Sequence, residues 1–123
     1  MSKKVLCILG PTASGKTQLA FDLYDYYKES SGCDLISVDS AMIYNQMDIG
    51  TAKPSDAELK KYPHALVNIK NPDEIYSAGD FYNDAKIEIK KSLDNNRTPI
   101  LVGGTMMYYN SLFKGLSDLP KKD

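Results

Sequence analysis

The stretch Gly10-Pro11-Thr12-Ala13-Ser14-Gly15-Lys16-Thr17 follows the apolar run Val5-Leu6-Cys7-Ile8-Leu9 directly. Its spacing matches G-x-x-x-x-G-K-[ST], the pattern of a loop that cradles phosphates between a strand and a helix. With glycine at about 7% of residues in average proteins, the four fixed positions would arise by chance on the order of once in a few hundred chains of this length. The physics behind the pattern is direct. A glycine-rich turn entering a helix aims backbone N–H groups inward, and the helix N-terminus adds partial positive charge, so a multiply charged anion is held. Lys16 supplies a full charge, and Thr17 the hydroxyl that in such loops meets a magnesium ion on the phosphates.

Outward from this loop, strand and helix patterns alternate. A helix opens within the loop and runs to about Lys28, with Leu19, Ala20, Leu23, Tyr24 and Tyr27 as its apolar stripe. Leu35-Ile36-Ser37-Val38 reads as a short strand ending at Asp39-Ser40. A short helix is expected from Ser55 to Lys60 and an edge strand from Leu66 to Ile69. Ser77 with Asp80 three residues on resembles a capping box. The stripe Ala78, Phe81, Tyr82, Ala85, Ile89 and Leu93 then marks a long helix. Thr98 to Val102 reads as a buried strand, Gly103-Gly104-Thr105 as its end, and a last helix runs to Gly115. This alternation predicts an α/β fold with a parallel sheet of three central strands covered on both faces. The phosphate loop, Asp39-Ser40 and Gly104-Thr105 should meet in the crevice at the strands' carboxyl ends.

The 123 residues suit one domain. A formal net charge of −1 with a pI near 5.8 excludes a generally basic surface that would hold nucleic acid by charge alone. Charged residues at 25% and hydrophobic ones at 42% are ordinary for a soluble globular chain. Cys7 and Cys33 lack metal-site spacing and read as free thiols. The basic start is followed by too short an apolar run for a secretory segment, so a reducing cytoplasmic location, without membrane association, is expected.

Asp39 after an apolar strand has two candidate tasks, helping to hold magnesium or acting as a general base, and a turn-capping carboxylate is the alternative. Thr105 after two glycines is equally an N-cap or a site residue. His64, the lone histidine, reads as structural, Tyr108 and Tyr109 as core or substrate wall, and Lys60-Lys61 and Lys90-Lys91 as solvated faces.

Three longer strings narrow these choices: GPTASGKT, then DSAMIYNQMDIGTAKP from Asp39 to Pro54, then PILVGGTMMYY from Pro99 to Tyr109. Together with YPHALVNIKNPDEIYSAGDFYNDA from Tyr62 to Ala85, they resemble the tRNA dimethylallyltransferase (tRNA isopentenyltransferase) family over nearly the entire chain. The resemblance implies a P-loop NTPase-like three-layer sandwich. It also implies transfer of a dimethylallyl group from its diphosphate to the exocyclic amine of the adenosine beside the anticodon. On this reading Gly10 to Thr17 bind the diphosphate of the donor with Mg²⁺ at Thr17, and Lys16 is catalytic. Asp39 is the general base, and Thr105 positions the reacting pair. Asp39, Ser40, Ala41, Met42 and Thr105 face the tRNA anticodon arm. Met42 stands where the family often has Gln, and Asn68 where it often has Asp. Lys53 could meet RNA phosphate or be solvated.

Family members are much longer, with a helical insertion gripping the anticodon arm and a further catalytic portion. Residues 1–123 are therefore expected to be the N-terminal part of a truncated catalytic domain, monomeric, with weak tRNA binding and little turnover. Arg97 is the one arginine, so phosphate-clamping forks are scarce. Two rival readings share the loop: an ATP-dependent small-molecule kinase with Asp39 as base, and a non-catalytic diphosphate-binding module. A closer variant would prenylate free adenine nucleotides.

Overall fold

Four short runs align into one sheet in the computed structural model, which describes residues 4–10, 15–45 and 53–117. The strands are β1 (Leu6–Leu9), β2 (Cys33–Ser37), β3 (His64–Ala65) and β4 (Thr98–Gly103). They lie in the order β1-β4-β2-β3 with every pairing parallel. The helices are α1 (Lys16–Lys28), α2 (Asp56–Lys61), α3 (Ala78–Asp94) and α4 (Met106–Ser117). Loop positions Pro11, Thr12, Ala13 and Ser14, the segment from Gln46 to Ala52, and the polar end from Asp118 lie outside the described residues.

β4 is buried at every position because it has a strand on each side and helices on both faces. A proline in such a strand removes a ladder donor. Pro99 is accommodated because Thr98 N–H bonds Gly32 O on the β2 side, while pairing with β1 begins only at Ile100. Side chains alternate across the sheet. Leu35 and Ile100 face α1, packing with Ala20, Phe21 and Tyr62, whereas Ile36 and Leu101 face α3 and α4 with Phe81, Ala85, Tyr109 and Leu112. The result is the expected three-layer α/β sandwich. Phe81 stacks on Tyr108 with ring centroids 4.5 Å apart, and truncating such a buried aromatic costs about 3–5 kcal/mol.

Three details differ from the sequence reading. The buried stripe of α1 centres on Ala20 and Phe21, with Leu19 about half exposed, because Phe21 stacks on Tyr62 at 4.2 Å. The edge strand expected from Leu66 to Ile69 is instead the two-residue β3, earlier in the chain, beside the three central strands foreseen. Leu66 and Asn68 take positive φ values of 66° and 57°, incompatible with a strand. Their segment bonds irregularly to residues 42–45 instead: Asn68 N–H donates to Met42 O and Ile69 N–H to Ile43 O.

Both cysteines are free. Cys33 lies buried at the start of β2, and burial pushes its thiol up to about 11. Among the described residues no helix is long and apolar enough to cross a membrane.

Candidate active site

The register brings three strand ends to one edge. Leu9 lies level with Gly103, and Ser37 with Val102, so β1, β2 and β4 all deliver their next residues to the same crevice. From β1 the chain enters Gly10. It re-emerges at Gly15, whose left-handed φ of 82° suits glycine, and starts α1 at Lys16. Gly15, the N-cap of α1, makes no side-chain cap, and the first turn carries no acidic residue, so the helix adds no carboxylate against an incoming anion. Lys16 is 8% exposed. Thr17 is half-buried beside it.

The β2 and β4 ends are joined directly. Val38 N–H donates to Val102 O at 2.7 Å, and Thr105 N–H returns to Val38 O at 3.1 Å. Gly103 permits this approach, since a Cβ there would fall 2.2 Å from Val38 O. Ser40 N–H then donates to Thr105 Oγ1 at 2.9 Å. The threonine hydroxyl is thus engaged across the crevice with the loop after β2, a long-range contact that local sequence does not reveal. On the other side, the buried Tyr109 hydroxyl lies 3.3 Å from Ile8 O and 3.2 Å from Gly103 O, bridging the ends of β1 and β4. Burial raises its pKa, so it remains a donor near neutral pH.

Asp39 is half-buried at the crevice rim. Its Oδ1 accepts Ala41 N–H at 2.9 Å while its carbonyl accepts Met42 N–H, an Asx-type turn that fixes the carboxylate's direction. The turn-capping alternative is thus realised by Oδ1. Ser40 is exposed and Ala41 half-buried. Met42 is 9% exposed and accepts the Ser37 hydroxyl on its sulfur at 3.7 Å, so its side chain lies inward. Tyr108 is core, stacked on Phe81. Burial first, and then the nearby charges of Tyr44 and Asp39, raise its pKa.

His64 takes the structural role. Its Nδ1 lies 2.8 Å from Tyr62 O, its ring meets Phe21 edge-on, and burial lowers its pKa. Arg97 is committed at the opposite end of the sheet, its Nε 3.1 Å from both Asp34 carboxylate oxygens and one terminal nitrogen 2.6 Å from Cys33 O. It borders a cleft of about 340 Å³ at the strands' amino ends. That cleft is the wrong place for the phosphate chemistry, and Arg97 pairs there with Asp34 and Lys91 with Glu88.

A strand running into a phosphate loop, flanked by strand ends that present a carboxylate and a threonine, defines a P-loop NTPase-like α/β protein with an acid-bearing crevice. The chain belongs to the IPP transferase family, whose model matches residues 42–123. The tRNA delta(2)-isopentenylpyrophosphate transferase of Staphylococcus epidermidis is 40% identical, with a TM-score of 0.79 over 90% of this chain and 35% of its own. The full-length tRNA isopentenylpyrophosphate transferase of Bacillus halodurans is 36% identical, with a TM-score of 0.83 over 98% of this chain and 39% of its own. A eukaryotic dimethylallyltransferase acting on tRNA is 32% identical, with a TM-score of 0.80 over 90% of this chain and 27% of its own. The chain thus spans about a third of the length of these solved relatives.

Proposed function

We propose that the protein of which this chain forms the phosphate-loop part transfers the dimethylallyl group of dimethylallyl diphosphate to tRNA. The acceptor is the exocyclic amine of the adenosine next to the anticodon. The observation that carries this reading is the convergence of Gly15-Lys16-Thr17, Asp39 and Thr105 at one sheet edge, in a family whose solved members are named for this chemistry.

The allylic C–O bond breaks with its electron pair leaving on pyrophosphate. Loop N–H groups and the Lys16 ammonium oppose the charge that develops there. A bond forms between the adenine nitrogen and the allylic carbon, and the nitrogen's proton passes to the Asp39 carboxylate. Thr105, its hydroxyl held by Ser40 N–H, helps position the reacting pair. An acceptor base must leave its stack to reach the crevice, with Ser40 and Ala41 at the rim to meet it. Met42, expected at this rim, is withdrawn from it: its side chain is buried and its N–H and carbonyl are bonded to Asp39 and Asn68.

Among the described residues no cluster of three acidic, histidine or cysteine side chains could cage a metal. A magnesium ion suits this donor set only if the substrate phosphates supply most of its oxygens, with Thr17 as the protein ligand. Bound there, it would neutralise diphosphate charge. ATP use is disfavoured, the leaving group being the donor's own diphosphate. A cytoplasmic, monomeric enzyme suits a tRNA substrate.

The test is incubation of labelled dimethylallyl diphosphate with unmodified tRNA and the product of the complete gene. Label should enter tRNA, and Asp39→Asn should slow transfer about 10²–10⁴-fold with donor binding kept. Phosphate release from ATP without prenyl transfer would overturn the reading in favour of a kinase.

A further inference from the structure

Lys53 stands in the DIGTAKP string, where the sequence leaves its charge to RNA phosphate or to solvent. Its ammonium is instead engaged by the protein, 3.0 Å from Tyr44 O and 2.6 Å from Asn68 Oδ1. Both acceptors belong to the irregular ladder beside the crevice. There Asn68 N–H bonds Met42 O, Ile69 N–H bonds Ile43 O, and Asn45 N–H bonds Lys70 O at 2.8–2.9 Å. Tyr44 and Lys70 also form a parallel bridge. Asn68 holds its acceptor toward Lys53 from a left-handed backbone, a conformation asparagine tolerates better than most residues.

We propose that Lys53 is a positioning residue that clamps the Asp39 turn. Three short segments meet at its ammonium: the turn from Asp39 to Asn45, the loop from Leu66 to Lys70, and its own. Neither of the first two has a regular strand to hold it, because β3 stops at Ala65 and β2 at Ser37. The clamp fastens Tyr44 and thereby Met42, whose N–H closes the turn on Asp39 O. Small displacements of a reacting group cost rate steeply, so a loosened turn lowers turnover while the separate phosphate loop keeps the donor. This inference rests on the transfer reaction proposed above for its kinetic arm only.

The experiment uses the complete gene product with Lys53→Met, Asn68→Gly, the double variant and Asn68→Asp. Glycine keeps the positive φ while deleting the acceptor, so Asn68→Gly carries the test if Lys53→Met fails to fold. Expected for Lys53→Met and Asn68→Gly is a kcat about tenfold lower or more, with the KM for dimethylallyl diphosphate within about twofold. The double variant should be no worse than Lys53→Met alone, and Asn68→Asp should retain the wild-type rate.

The salt dependence of tRNA binding should keep its slope. A slope reduced by about 0.7–0.9 would assign Lys53 to an RNA phosphate and overturn the clamp, as would an unchanged kcat. Amide exchange at residues 41–45 in the complete gene product gives a readout independent of any reaction. Faster exchange in both single variants supports the clamp even if wild-type protein transfers no prenyl group, whereas unchanged exchange sinks it.

Discussion

The N-termini of α1 and of α2 and α3 are built in opposite ways. α2 and α3 each open on a complete capping box: Ser55 with Glu58, and Ser77 with Asp80, hydroxyl and carboxylate each accepting the other's backbone N–H. Those bonds hold the Asp80 carboxyl below its ordinary range. α1 opens on Gly15 with no side-chain cap and no acid in its first turn. A helix leaves its first N–H groups unsatisfied by its own backbone. At α2 and α3 the chain satisfies them itself; at α1 the proposed diphosphate would do so, with Asp39 and Thr105 following the neighbouring strands β2 and β4.

Substitutions should separate the two kinds of end. The largest effect is expected at Gly103→Ala, which would drive a Cβ into the Val38 backbone, 2.2 Å from its oxygen, at a φ of 155°. About 3 kcal/mol or more of stability should be lost in urea unfolding, because the strand ends that form the crevice must part. Ser77→Ala should cost about 1 kcal/mol in the same measurement and leave ligand binding untouched. Gly15→Ala meets no atom within 4 Å, so only the backbone at φ 82° resists it. A loss of about 1 kcal/mol should accompany weaker diphosphate binding, the coupling that Ser77→Ala lacks.

The smallest effect concerns pH. Burial depresses the His64 pKa, so between its folded value and the unfolded value near 6.5 the unfolded chain binds more protons, and stability falls as pH drops. The melting temperature should decline modestly from pH 7.5 to 5.5, above the range where carboxylates titrate, and His64→Gln should flatten that slope.

The passage from β1 to a helix at Lys16, α3 with its Ser77–Asp80 box, and the buried β4 were legible because each is decided by neighbours in sequence: fixed glycine spacing, a cap followed by a 3.6-residue stripe, and an apolar run. The Ser55–Glu58 box obeyed the same S-x-x-E rule and was readable in principle. The path from Leu66 to Lys70 was not, because its partners in residues 42–45 lie far back in the chain and two residues take left-handed conformations. Asp39 and Thr105 could be placed at strand ends, but the Ser40–Thr105 bond depends on tertiary approach. Lys53 was misleading for the same reason, since a lysine's sequence neighbours do not say whether its charge meets solvent, RNA or the protein's own carbonyls.

Titration calorimetry of dimethylallyl diphosphate with Mg²⁺ into the complete gene product, as wild type, Ser77→Ala and Lys16→Ala, tests the assignment of α1's N-terminus most directly. Wild type and Ser77→Ala should bind alike, and Lys16→Ala roughly 10–100-fold more weakly, the worth of one charge-assisted contact. Equal binding by Lys16→Ala, or none by wild type, would contradict the account.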